Sequence, residues 1–104
     1  MSAVRLSPEA VSELAEAAHW YAARRPELEV EFVTEVERVL RVIGTSPASF
    51  PRLLDLPADL VVRRALLARF PYAIVFMDLG TEIRVLAVAH AKRRPRYWLN
   101  RVET

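Results

Sequence analysis

The sequence predicts an α+β fold in which a short N-terminal strand and a helical hairpin pack on a C-terminal antiparallel sheet, in the order β-α-α-β-β-β. Apolar residues recur at helical spacing through the first half of the chain. A proline-punctuated stretch over residues 45–60 then breaks the pattern, and the last part turns to β-branched and aromatic runs. The 104 residues make one ordinary domain, with little room for a second core.

The elements follow in order. Ala3-Val4-Arg5-Leu6 alternates weakly and reads as a short edge strand. Ser7-Pro8-Glu9 is a helix start, serine capping and proline taking the first turn. Val11, Leu14, Ala15, Ala18 and Ala22 trace one face of a first helix until Arg24-Arg25-Pro26 interrupts it. Leu28, Phe32, Val36, Val39 or Leu40, and Ile43 trace a second helix, which Gly44-Thr45-Ser46-Pro47 closes. Three prolines (Pro47, Pro51, Pro57) make residues 45–60 an irregular connection, pinned to the core by Phe50 and by Leu53 or Leu54. Three antiparallel strands are expected over Val61–Phe70, Tyr72–Leu79 and Glu82–His90, with Gly80-Thr81 turning between the last two. The strand from Tyr72 is apolar on both faces, as a central strand is. Beyond His90 the chain forms either a short helix from Pro95 or an irregular tail. The helices take one sheet face, and the other is the expected working surface.

Composition excludes several classes. An apolar share of 53% with 27% charged residues belongs to a folded globule and not to a disordered chain. Cysteine is absent, so there is neither a disulfide framework nor a thiolate metal site, as suits a reducing cytosol. The opening residues lack the apolar core of a secretory signal, and no stretch approaches the roughly 20 apolar residues of a membrane span, so a cytoplasmic protein without membrane attachment is expected. No pair of histidines or carboxylates has ligand spacing, and with two glycines there is no phosphate loop; no metal and no cofactor are expected.

Charge is unevenly laid out. Residues 9–37 hold eight glutamates against Arg24 and Arg25, a net of −6, whereas residues 60–101 hold nine basic residues against Asp78 and Glu82, a net of +7. A basic side of this kind attracts phosphate, nucleic acid or an acidic protein segment. The glutamates of the second helix (Glu27, Glu29, Glu31, Glu35, Glu37) read as a solvated face, and His19, Trp20 and Tyr21 as packing or a partner surface.

Three stretches, read in order, carry a resemblance. They are the helical hairpin with Tyr21, Phe32, Val36 and Leu40; Ser46-Pro47 and Phe50-Pro51 followed by Arg63-Arg64 and Phe70-Pro71-Tyr72-Ala73-Ile74-Val75-Phe76; and Ile83-Arg84-Val85-Leu86-Ala87-Val88-Ala89-His90 running into Arg93-Arg94-Pro95 and Tyr97-Trp98. Together they cover nearly the whole chain, and in their order and spacing the sequence resembles the RelE/ParE superfamily of toxins from type II toxin–antitoxin systems. The resemblance implies an intracellular growth-arresting toxin, of the kind associated with plasmid stabilization, held in a hetero-oligomer by a cognate antitoxin. Members resembling RelE cut messenger RNA on the ribosome; those resembling ParE poison DNA gyrase without evident nuclease chemistry. An inactive relative that only binds antitoxin is a third possibility.

Metal-free RNA cleavage needs a base for the ribose 2′-OH, an acid for the leaving oxygen, and fixed positive charge for the phosphorane. His90 at the end of the last strand and Tyr97 are the candidate proton-transfer residues if the chain is a nuclease; the alternatives are a histidine closing the strand and an aromatic pair, Tyr97-Trp98, anchoring the C-terminal segment. Arg63, Arg69, Arg93, Arg94 and Arg96 are the candidate phosphate- or target-binding residues, because a guanidinium offers a planar fork to phosphate oxygens. Strand alternation puts Arg63 and Arg69 on one face and Arg64 opposite. The chain departs from the RelE pattern in the spacing of its tyrosine after the last-strand arginine. It also lacks the lysine pair before the sheet, since Arg52 is the sole basic residue of residues 45–60. Both departures lean the reading toward gyrase.

Overall fold

In the computed structural model, which describes residues 2–103, the chain forms β1 (Ala3–Leu6), α1 (Pro8–Arg24), α2 (Pro26–Thr45), a 3-10 turn (Pro47–Ser49), β2 (Val62–Leu66), β3 (Tyr72–Asp78), β4 (Glu82–His90) and a final 3-10 turn (Leu99–Glu103). The predicted order and the α+β class are those observed. The sheet runs β1-β4-β3-β2, with β1 joining as a parallel edge beside β4 and the other pairings antiparallel.

Local chemistry sets the element boundaries. The Ser7 side chain accepts a hydrogen bond from the Ala10 N–H at 3.1 Å, and Pro8 fills the first turn of α1. The hairpin reverses at Arg25, whose extended backbone ends α1 and starts α2, with Pro26 in the opening turn. Gly44 does not end α2, which continues to Thr45. It lies where β1 crosses the helix, because a Cβ there would come within 3.3 Å of Val4 Cγ2, and its carbonyl accepts from the Ser2 N–H at 3.0 Å. Gly80, with φ of +83°, makes the β3–β4 turn, and the Asp78 carboxylate accepts its N–H.

The buried face of α1 is one residue out of phase with the expected stripe. Ala10, Ala17 and Tyr21 are buried and Leu14 half-buried, whereas Val11 and Ala15 face solvent. An alanine-rich helix is weakly apolar all round, so periodicity alone did not choose its face. Against this face and α2 lies one core layer, with Phe32, Val36, Ile43, Ile74, Phe76 and Val85 at its centre. The helix-free face of the sheet is not the open surface expected. A second layer of Val62, Val75, Met77, Leu86, Ala87 and Trp98 covers much of it, closed by Leu53, Leu56 and Leu60 of the connection and by Tyr97 and Val102 of the C-terminal segment. Phe50 and Leu53 pin the connection, and Leu54 is exposed. β3, buried on both faces over Ala73–Met77, is the central strand expected.

The strand expected through Phe70 ends at Leu66. Residues 68–70 instead form a tight turn with Arg69 in the left-handed region (φ 71°). Two glutamates of α2 hold it: Glu35 accepts the Ala68 N–H at 2.6 Å, and Glu31 pairs with the Arg69 guanidinium. That part of α2 is a clamp on the β2–β3 turn and not a merely solvated face. Arg38, bonded to Glu35 through two nitrogens at 2.8 Å, holds the Glu35 carboxyl below the usual carboxylate range.

Ser7→Ala removes the α1 cap and is expected to cost about 1 kcal/mol of unfolding free energy. Urea denaturation measures it, and an unchanged midpoint would show that the cap contributes nothing.

Candidate functional site

Between Val75 and Phe76 the β3–β4 register slips by one residue, so that Leu86 is left without a partner in the ladder. Its carbonyl is thereby available and accepts from Arg101 Nη1 at 2.9 Å. Arg101 also reaches Glu13 of α1, with Nη1 3.0 Å from Oε1 and Nη2 3.2 Å from Oε2. The same carboxylate accepts the Val88 N–H at 3.0 Å and the Tyr97 hydroxyl at 2.8 Å. Glu13 and Arg101 each keep only 14% of their side-chain surface exposed. One carboxylate therefore ties α1, β4 and the C-terminal segment together.

With the segment anchored at Tyr97, Trp98 and Arg101, residues 91–96 stand out from the end of the sheet and form one wall of a groove of about 540 Å³. Its floor is apolar, with Leu53, Leu66, Ala73, Val75 and Trp98, and its rim carries Arg64, Arg93, Arg94, Arg96 and His90. Among the described residues no aspartate or glutamate lines it. Among the described residues no carboxylate forms an ion pair with any of these four arginines. A concave surface with one sign of charge and low-dielectric walls focuses the field on an anion.

The sequence-derived candidates divide between this groove and the framework. Arg93, Arg94 and Arg96 are on the rim: Arg93 lies over the Tyr97 ring at 3.8 Å, and Arg96, in the left-handed region (φ 61°), donates from Nη2 to the Leu54 carbonyl at 2.7 Å. Arg63 and Arg69 do not share a sheet face, because β2 ends before Arg69. Arg63 is half-buried on the helix side and donates from Nη1 to the Phe50 carbonyl at 2.8 Å, with its Nε buried and unpartnered. Arg69 is held by Glu31. Arg64, set aside in the sequence by alternation, is the strand arginine that lines the groove.

His90 packs edge-on to Tyr72, ring centroids 4.9 Å apart, and its Nδ1 accepts the Lys92 N–H at 3.0 Å. An imidazole held this way carries its proton on Nε2, so its outward nitrogen is a donor. Tyr97 is the anchor that the plainer sequence reading describes. Burial, and then the Glu13 hydrogen bond, push its phenol up to about 12. Glu13 itself was missed in the sequence, where it is one of eight glutamates over residues 9–37 with nothing in its spacing to mark it. The signal available was the pairing of a mid-helix glutamate with a late arginine, which becomes visible only once β4 and α1 are packed.

A helical hairpin packed on one face of a β1-β4-β3-β2 sheet is the architecture of the RelE/ParE toxin superfamily. The chain belongs to the ParE toxin family of type II toxin–antitoxin systems, parDE, whose family model matches residues 4–95. A solved structure described as the chromosomal ParDE TA system from P. aeruginosa is similar to it, with a TM-score of 0.74 over 88% of this chain and 98% of that one. At 20% identity that likeness speaks to the fold. No curated protein matches the chain. Among the described residues no helix is long and apolar enough to cross a membrane.

Two outcomes are expected. Glu13→Gln removes the carboxylate charge that the largely buried Arg101 meets at 3.0 Å and should lower stability by about 3 kcal/mol in chemical denaturation; an unaltered midpoint would remove Glu13 from the framework. The second concerns alkali. Tyr97, Tyr21 and Tyr72 all have phenols raised above the ordinary 10.0, chiefly by burial. The unfolded chain thus loses these protons first, and the contribution to stability is complete below pH 10 and falls as pH rises toward 12. Denaturation followed against pH should show this decline, and Tyr97→Phe should make it shallower; an equal slope in the variant would contradict the Tyr97 assignment.

Proposed function

We propose that the protein is a growth-arresting toxin that poisons DNA gyrase and is kept silent by a cognate antitoxin. Membership of the ParE toxin family supports the toxin and antitoxin parts of this reading. The solved neighbour is itself described as a ParDE toxin–antitoxin system.

The observation that favours gyrase over RNA is the commitment of the two proton-transfer candidates. The Tyr97 hydroxyl is spent on Glu13 and has a phenol too basic to serve as a ready acid. His90 points Nδ1 at a backbone N–H and offers a donor on its other nitrogen, the wrong polarity for taking a proton from a 2′-OH. What remains at the groove is fixed positive charge, which binds but does not cleave. In this reading Arg64, Arg93, Arg94 and Arg96 form the target-binding rim, and Arg63 and Arg69 support the scaffold.

Expression without antitoxin should arrest growth with induction of the DNA-damage response and intact transcripts. The triple variant Arg93→Ala/Arg94→Ala/Arg96→Ala should relieve the arrest while keeping the parent's melting temperature. Transcript loss without DNA damage would instead make the chain a RelE-like endoribonuclease, and unimpeded growth would make it an inactive antitoxin-binding relative.

A further inference from the structure

A second cavity, of about 400 Å³, lies between α1 and the adjoining ends of β3 and β4. Pro71, Tyr72, His90 and Arg93 border both this cavity and the arginine-rimmed groove and so divide the two. Ala17 and Val88, both buried, give it an apolar base, and the rings of Trp20, Tyr21 and Tyr72 line it. These rings run edge to face from the helix to the end of β4, with centroids 5.1 Å apart from Trp20 to Tyr21, 6.3 Å from Tyr21 to Tyr72 and 4.9 Å from Tyr72 to His90. Its volume and its largely aromatic lining are those of a small-ligand site.

Hydrogen-bond donors are left unspent there. A buried tyrosine ordinarily finds a partner for its hydroxyl. Among the described residues neither the Tyr21 nor the Tyr72 hydroxyl has one. Nor is either hydroxyl sealed from solvent, since among the described residues Arg63 Nε is the buried side-chain polar atom without a partner. Tyr21 is 8% exposed, so its hydroxyl belongs to the little surface that the residue shows. Burial raises both phenols, and Tyr21 raises that of Tyr72 further, so the two hydroxyls are neighbours and both keep their protons near neutrality. His90 adds its Nε2 proton, because Nδ1 is committed to the Lys92 N–H. Arg93 adds a guanidinium with no carboxylate partner among the described residues.

We infer that this cavity binds a small aromatic carboxylate, its ring against Trp20 and Pro71 over the Ala17–Val88 base and its carboxylate accepting from the Tyr21 and Tyr72 hydroxyls, His90 Nε2 and Arg93. A carboxylate has about four acceptor positions, and donors that include a guanidinium suit its charge. The local charge has the matching sign. Glu13, which also lines the cavity, is saturated by Val88, Tyr97 and Arg101 and neutralised by the last of these. That leaves the exposed Glu16 against Arg93 and against Arg24, which stacks on Trp20 at 4.1 Å. A cationic ring compound would leave the donors unmet, and a bare inorganic anion would leave the apolar base and the rings unused. Binding here requires neither gyrase nor an antitoxin.

The test is calorimetric titration of the purified full chain with three probes: indole-3-acetate, tryptamine, which carries the opposite charge on the same ring, and inorganic phosphate, which has charge without a ring. Indole-3-acetate is expected to bind with a Kd below about 1 mM, and the other two at least about tenfold more weakly. Tyr21→Phe/Tyr72→Phe keeps both rings and deletes both hydroxyls, and should weaken indole-3-acetate about tenfold. Trp20→Ala, at a half-exposed helix position, should weaken it as well and serves if the double variant fails to fold. Arg64→Ala, which alters the groove and not this cavity, should leave the affinity unchanged. The proposal is overturned by no binding of indole-3-acetate, by equal binding of tryptamine or phosphate, by an unchanged affinity in the folded tyrosine or tryptophan variants, or by a loss in Arg64→Ala that matches theirs. None of these outcomes alters the gyrase reading, which cultures and supercoiling assays decide separately.

Discussion

The Glu13 carboxylate receives hydrogen bonds from three directions at once, the Val88 amide, the Tyr97 hydroxyl and the Arg101 guanidinium, and so joins α1, the sheet and the C-terminal segment. A charge so largely withdrawn from water is costly unless its partners saturate it. The slipped register at Leu86 helps satisfy the cation as well, by offering Arg101 a carbonyl released from the ladder. Loss of any one partner leaves the largely buried carboxylate with an unmet lone pair. The groove wall depends on this arrangement, because Arg93 rests on the ring of the tyrosine that Glu13 holds.

The arginines of the C-terminal half thus do two jobs. Arg63, Arg69 and Arg101 are spent inside the molecule, on the Phe50 carbonyl, on Glu31 and on Glu13 respectively. Those interactions fix the connection, the β2–β3 turn and the C-terminal segment, the three pieces that frame the groove. Arg64, Arg93, Arg94 and Arg96 surround the groove that results. Positive charge is concentrated there because the α2 and α1 glutamates neutralise Arg69 and Arg101, whereas among the described residues no carboxylate pairs with the rim.

The fold was readable in the sequence because its signals are local: the Ser7-Pro8 cap, the Arg25-Pro26 break, the stripe from Phe32 to Ile43, and the apolar run of β3. The family followed from the order of such signals. Errors arose where a local rule met a tertiary competitor. Alternation carried Arg69 onto a strand that the Glu31 and Glu35 clamp ends early, and helical periodicity could not orient an alanine-rich α1. The candidate site was half legible. Arg93, Arg94, Arg96 and His90 are adjacent in sequence and arrive at the groove together, whereas Arg64 depends on which sheet face the helices cover. Glu13 and Arg101 are 88 residues apart and share no pattern.

On this account the groove acts as an electrostatic and apolar docking surface shaped by the Glu13 network, and the toxin acts by binding. The direct test is a gyrase assay with purified protein, in which supercoiling and trapped cleaved DNA are scored alongside the integrity of added RNA. The account requires the chain to block supercoiling and accumulate cleaved DNA while RNA stays whole, with Arg94→Glu/Arg96→Glu ineffective. Intact gyrase activity beside degraded RNA would contradict it.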